Sequence, residues 1–499
     1  MDAGERAPQL KPAARVCAAI LLALYGSVLL TANSPIAGGA DSSGYLNAAR
    51  LVARGRALEE IRPLALLGLP GSYADVFLPL GYTMAARPGT MAPQYPPGLP
   101  LHMAAAGALA GWTHAPFLVI PLAAIAGVAL LYLTARELGL PPALAASGAA
   151  LLGVCPIFFG MAIQPMSDTL ATSWVLAAVY LGLRSRRNEN VAIAAGAAFG
   201  VAVLVRPTNA LAIFALALAL PPGRRAAIRA LAGAMPLALS LALYNRLAFG
   251  SAAATGYGSL LHSTMSLRNL LPEIRHYGYW VPALLTPLLP LAWIALPFDR
   301  KVALRDRGLC LLWFGAFLAF YGFYQPFEDW WSTRFLLPGF PAIILAALLL
   351  ARDVPEFFQQ RARGRGLPRW GTVIGGALLL AMAASAILWI RRFDLFSLKT
   401  GEAIYREASL GAAGIVPPGA VIVAMQMSGA LKYYTDRPVA RWDALQPGRF
   451  GDLRAAARAR GRGLYALLWP FEEADFAARV PGSRKRIGAW RDITLWRLD

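Results

Sequence analysis

Long apolar runs alternate with short polar tracts along almost the whole chain. The runs fall at residues 16–31, 116–135, 142–160, 169–183, 191–205, 208–220, 226–249, 280–297, 308–324, 335–350 and 371–390. Most approach the roughly 20 residues that a helix needs to cross the hydrocarbon core. Arg206-Pro207 separates 191–205 from 208–220, and because proline cannot continue the hydrogen-bond ladder these read as two short spans. The run at 98–112 is shorter, about 15 residues, and reads as an interfacial or re-entrant helix.

Charge parity fixes the orientation. If 98–112 spanned, the tract Arg184-Ser-Arg-Arg187 would fall outside; if it lies on the surface, that tract falls inside. With the second choice Arg136, Arg224-Arg225, Arg300 to Arg307 and Arg352 to Arg369 are also cytoplasmic. The pattern predicts a polytopic α-helical membrane protein of about eleven spans, N-terminus in and C-terminus out, multi-pass in the inner (plasma) membrane. The basic start (Arg6, Lys11, Arg15) with small residues at Ala37 to Ala40 fits a cleavable signal peptide as well, but the many spans that follow favour an uncleaved anchor.

Composition supports this reading. The 499 residues are 57% hydrophobic and 15% charged, where a soluble chain carries nearer to about 25% charged. A net charge of +20 would suit a nucleic-acid partner, yet the arginines cluster between apolar runs as cytoplasmic loops require, so no nucleic acid is expected. Cys17, Cys155 and Cys310 lie scattered inside apolar runs, with neither metal spacing nor an obvious pairing.

Two parts are more polar. The first external loop, 34–115, opens with a mixed helical pattern over 41–56 that suits the membrane surface. From 391 onward, candidate strands at 421–425 and 464–469 alternate with candidate helices at 429–434, 452–460 and 472–479. The expected division is a transmembrane domain over 1–390 and a small extracytoplasmic α/β domain over 391–499. No glycine-rich phosphate loop is present in it.

On this topology the unusual polar residues share one face: Asp41, Gln94, Asp168, Arg206, His276, Glu328, Asp329 and Arg334 all fall at external span ends or in external loops. Each has a plain reading. Asp41 and Asp168 are good helix N-caps, Arg206 and Arg334 suit interfacial anchoring, and Tyr95-Pro-Pro-Gly98 makes a rigid turn into a helix. His102, His262 and His276 show no metal spacing. Their joint placement favours an external active site.

Asp41 with Tyr45, Tyr95-Pro-Pro-Gly98, Pro165-Met-Ser-Asp168, Gly200-Val-Ala-Val-Leu-Val-Arg206-Pro and Arg334-Phe-Leu-Leu-Pro338 occur in an order and spacing that resemble the GT-C fold integral-membrane glycosyltransferases. The similarity is to the bacterial relatives of protein O-mannosyltransferases and lipid A aminoarabinose transferases, and Tyr433-Tyr434-Thr-Asp-Arg437 is similar to their outer domain. The resemblance implies an inverting enzyme that moves a sugar from a polyprenyl-phosphate donor to a glycan, lipid or protein acceptor beside membrane lipid. It implies Asp41 as the catalytic carboxylate, Asp168 as a second acid, and Arg206 and Arg334 as candidates for gripping the lipid phosphate. Tyr45, Gln94, Tyr95, His276, Glu328 and Asp329 complete the expected substrate-binding set. The chain departs from the family at Asp41-Ser42, where many relatives have Asp-Glu, and at Gln94-Tyr95, where the aminoarabinose transferases have Glu-Lys. These departures leave the donor sugar, and the use of a divalent metal, open. The competing expectation is a transporter or flippase of a lipid-linked substrate, which would place polar groups around the bilayer midplane on paired broken helices. A non-catalytic scaffold leaves the position of Asp41 unexplained.

Overall fold

The computed structural model describes residues 12–258, 264–352, 370–446 and 448–498. His262, the basic start at 1–11 and the tract 353–369 lie outside the described residues. The first apolar run forms α1 (Pro12–Ala32). After it the chain turns into α2 (Asp41–Ala53), which is too polar to be a span.

Within the first loop, β1 (Glu59–Glu60), α3 (Arg62–Leu67), β2 (Tyr82–Met84) and β3 (Thr90–Pro93) follow. The strands make a small antiparallel sheet in the order β1-β3-β2. The short apolar run becomes α4 (Gly98–Ala110), packed against α2.

The bundle continues with α5 (Ala115–Glu137), α6 (Pro142–Val154), α7 (Pro156–Ala162), α8 (Ser167–Ser185), α9 (Val191–Val205), α10 (Ile213–Ala219) and α11 (Arg224–Phe249). Then come α12 (Leu270–Leu285), α13 (Leu288–Ala295), α14 (Leu304–Tyr321), α15 (Phe340–Ala351) and α16 (Trp370–Arg392).

Four helical segments among the described residues are long and apolar enough to cross a membrane, or six if each of two bent pairs counts as one. The bends sit at prolines: 63° between α6 and α7 at Pro156, and 112° between α12 and α13 at Pro287. A missing N–H and a ring clash with the preceding turn account for both. The predicted break at Arg206-Pro207 is present as 3₁₀ turns over Pro207–Ala212 between α9 and α10. Between the apolar runs 226–249 and 280–297, α12 already starts at Leu270, so Glu273, Arg275 and His276 are helical.

Ion pairs gather at both ends of the bundle. At one end Arg187 pairs with Glu137 at 3.2 Å, and Arg186 pairs with Asp306 at 3.3 Å while also donating to the carbonyls of Leu218 and Ala219. Asp41, Asp168, Arg206 and Arg334 stand at the other. The 19 residues of α8 join the two ends, a rise of about 28 Å, close to the roughly 30 Å of a hydrocarbon core.

Beyond the bundle, α17 (Leu398–Ile415), α18 (Ser428–Tyr434), α19 (Arg449–Ala459) and α20 (Glu473–Arg479) accompany a mixed five-stranded sheet. Its strands are β4 (Val421–Val423), β5 (Val439–Ala440), β6 (Leu464–Leu468), β7 (Arg484–Trp490) and β8 (Ile493–Leu498), in the order β5-β4-β6-β8-β7. The hairpin β7–β8 is antiparallel, whereas β4 runs parallel to β5 and β6. The sheet shares a hydrophobic core with the first loop: Ile61, Tyr73, Val76 and Phe77 pack with Val421, Val423, Trp442 and Phe476. Further ties reach α2 and the segment before it: Asn47 donates to the Gly429 carbonyl at 3.0 Å, and the Tyr434 hydroxyl accepts from the Ala37 amide at 2.9 Å. The helix carrying Asp41, mostly buried, is therefore held between the bundle and the sheet.

Candidate active site

Asp41 is the first residue of α2, yet it does not cap it; the N-cap is Ala40, without a side-chain hydrogen bond. Its carboxylate instead accepts from the Tyr95 hydroxyl on Oδ1 at 2.6 Å and from Arg334 Nη2 on Oδ2 at 3.0 Å. The positive end of the α2 dipole lies beside it. Asp168, likewise in the first turn of a helix and not its cap, is 1% exposed and accepts from Arg206. The plain N-cap readings are thus replaced by two carboxylate–guanidinium pairs.

The pairs adjoin. The guanidinium carbons of Arg206 and Arg334 lie 5.7 and 5.5 Å from the centre of the Phe335 ring, which both flank. Tyr45, one turn along α2 from Asp41, donates from its hydroxyl to Ser167 Oγ at 2.9 Å, the residue before Asp168. Tyr45 and Tyr95 pack with ring centres 4.6 Å apart. Burial first, then the neighbouring Asp41 carboxylate, pushes both phenols well above the ordinary tyrosine range. Both stay protonated donors at neutral pH.

Backbone approach explains why the Tyr95-Pro-Pro-Gly98 turn sits here. A Cβ on Gly98 would run into the Val205 backbone, directly before Arg206, so only glycine lets this turn abut the end of α9. Gly44 of α2 plays the same part under the Tyr95 ring. These contacts register Asp41, Tyr95 and Arg206 against one another.

Not every predicted residue joins the cluster. Glu328 and Asp329 are exposed, and Asp329 accepts from the Trp331 indole at 3.1 Å. They precede the 3₁₀ turns over Trp330–Gly339 that carry Arg334 inward. His276 Nε2 lies 2.7 Å from Ser332 Oγ, so it braces that segment rather than touching Asp41. Gln94 lines a small cleft with Pro207, Asn245 and Tyr257. Tyr257, absent from the sequence reading, packs edge-on to Tyr95 at 6.1 Å between ring centres.

Chemically, the arrangement offers one carboxylate with two donors on it, a second buried carboxylate, and two guanidinium groups. Arg334 Nε is buried without a hydrogen-bond partner among the described residues, leaving a charge-assisted donor for an anion. No group of three His, Cys, Asp or Glu side chains comes together among the described residues. Each acid of the site is engaged by an arginine.

A family model described as dolichyl-phosphate-mannose-protein mannosyltransferase matches residues 94–248. No curated protein matches the sequence. Among solved structures, ArnT from Cupriavidus metallidurans bound to undecaprenyl phosphate superposes with a TM-score of 0.58 at 15% identity, covering 96% of this chain and 97% of that one. The Archaeoglobus fulgidus oligosaccharyltransferase in its apo form gives 0.57 at 12% identity over 92% and 71% of the two chains. The arabinofuranosyltransferase AftD from Mycobacteria gives 0.51 at 15% identity over 96% of this chain and 41% of that one. Together with the transmembrane bundle and its sheet-capped end, these likenesses show that the chain has the GT-C fold of integral-membrane glycosyltransferases.

Proposed function

We propose that the chain is an inverting glycosyltransferase that uses a polyprenyl-phosphate-linked sugar at the extracytoplasmic face of the membrane, with Asp41 as general base. The observation that carries this reading is the contact of Asp41 with Tyr95 and Arg334 at the mouth of an apolar bundle. The gathering of arginine at the opposite end supports the orientation, since cytoplasmic ends are the basic ones.

The acceptor hydroxyl gives its proton to Asp41 as its oxygen attacks the anomeric carbon. The bond from that carbon to the phosphate oxygen breaks, and polyprenyl phosphate leaves with the electron pair. Arg334, with its unpartnered Nε, and Arg206 stabilise the growing charge on the phosphate. Tyr95 holds Asp41 in place, and Asp168 fixes the Arg206 guanidinium. The ArnT structure bound to undecaprenyl phosphate and the family match support a lipid-phosphate donor.

The test is sugar transfer from a polyprenyl-phosphate donor by the full chain in liposomes. Asp41→Asn should abolish transfer while inserting and folding normally; full activity in that variant would remove Asp41 from the mechanism.

A further inference from the structure

A second cavity lies behind α2. An α-helix advances about 100° per residue, so Arg50, nine residues beyond Asp41, stands about half a turn round and about 13 Å further along. Asn47, Arg50 and Arg54 therefore face away from Asp41, and all three line a cavity of about 880 Å³. Its floor is the segment joining α4 and α5, with Trp112 and His114, and its far wall is the sheet-side segment Tyr433 to Val439.

Six cations line it (Arg50, Arg54, Arg62, Arg406, Lys432 and Arg437) against three acids, Glu59, Glu60 and Asp436. Among the described residues one cation–acid pair forms within it, Lys432 with Glu59 at 2.8 Å. Arg54 and Arg62 are exposed, and their guanidinium groups make no hydrogen bond or ion pair among the described residues. Arg50 lies over the Tyr433 ring at 3.7 Å, which fixes it in the wall. Burial lowers the pKa of Lys432, and the Glu59 carboxylate beside it opposes that shift.

Uncompensated cations in a concave, partly dry wall raise the local concentration of anions. The volume is in the range of about 300–1,000 Å³ typical of small-molecule sites, far above what one phosphate ion fills. Aromatic groups of its floor and far wall (Trp112, Tyr434) offer the flat apolar faces and polar edges on which sugar rings pack.

We propose that this cavity is a second binding site, for an anionic saccharide whose phosphate or carboxylate groups meet the arginines of α2 and α3 and whose rings lie on the aromatic wall. The site stands whether or not Asp41 transfers sugar.

Binding is measured with the full chain in phosphatidylcholine nanodiscs. The probes are hexagalacturonate, neutral maltohexaose and hexaglutamate, and the variants are Arg54→Glu with Arg62→Glu, and Asp41→Asn. Hexagalacturonate should bind at least about tenfold more tightly than either other probe, a difference of about 1.4 kcal/mol. The double arginine variant should lose that preference, and Asp41→Asn should keep it even though transfer is gone. Displacement of hexagalacturonate on moving to phosphatidylglycerol nanodiscs assigns the natural anion to a lipid-borne headgroup, and no displacement assigns it to a free glycan. Equal binding of neutral and acidic sugars, binding of hexaglutamate as tight as hexagalacturonate, or an undiminished double variant would overturn the proposal.

Discussion

Arg334 Nη2 stands 3.0 Å from Asp41 Oδ2, across 293 residues of sequence. The contact joins the first residue of α2 to the 3₁₀ turns that enter α15, so the acid and the cation are supplied by opposite ends of the bundle's sequence.

Arg334→Ala should lower kcat/KM for transfer by about 10²–10³, the effect of losing one preorganised charge donor. Arg334→Lys should fall between, because lysine keeps the charge and loses the planar fork. Steady-state transfer in proteoliposomes distinguishes them, and wild-type rates in the alanine variant would place the leaving phosphate elsewhere.

Asp168 is nearly inaccessible, at 1% exposed. Arg206→Gln leaves its charge without a partner, a loss expected at about 3–5 kcal/mol. Adding Asp168→Asn to that variant should recover much of the stability but not the activity. Thermal unfolding of the two variants in detergent checks the first statement, and turnover checks the second.

The Tyr95 hydroxyl donates to Asp41 at 2.6 Å. A hydrogen bond to a charged group contributes about 1.5–3 kcal/mol, so Tyr95→Phe should slow transfer by roughly ten- to a hundredfold with little change in folding. Gly44→Ala, whose Cβ would strike the Tyr95 ring, should do at least as much harm. If Tyr95→Phe is silent, Asp41 needs no such support.

Glu402 of α17 leans over Gly38, three residues before Asp41. Burial raises its pKa from the ordinary 4.5 to about 7. The folded chain thus holds a proton that the unfolded chain releases, and the stability this gives is complete below about pH 4.5 and lost as pH rises through about 7. Glu402→Gln should flatten that dependence, gaining a few degrees in melting temperature over wild type at pH 8 and little at pH 5. Parallel pH profiles for the two proteins would contradict it.

Much of the cluster was legible in the sequence. Asp41, Asp168, Arg206 and Arg334 are ionisable groups at the ends of apolar runs, where a charge needs a partner, and charge parity put them on one side. Glu328 and Asp329 were drawn in by the same logic, but the turns over Trp330–Gly339 have no simple period, so which side chains point inward is not written in their spacing. Tyr257 lies in a loop without periodicity and reaches Tyr95 because Gly256 packs against the Gln94 backbone. Strands β4 and β6 are fully buried apolar runs and were read, whereas β1 to β3 have two to four residues, too few for alternation to show. The charged face of β7 hid that strand as well.

The joint core of the first loop and the sheet also orders assembly in time. Residues such as Ile61 and Phe77 leave the ribosome hundreds of residues before Trp442 and Phe476, against which they pack. Until those late segments arrive, the early loop exposes half of an unfinished interior, and the platform under Asp41 has nothing to press it down. Truncation within the sheet should therefore disarm the membrane part as a whole, and a chaperone guarding the loop during synthesis would have its longest task here.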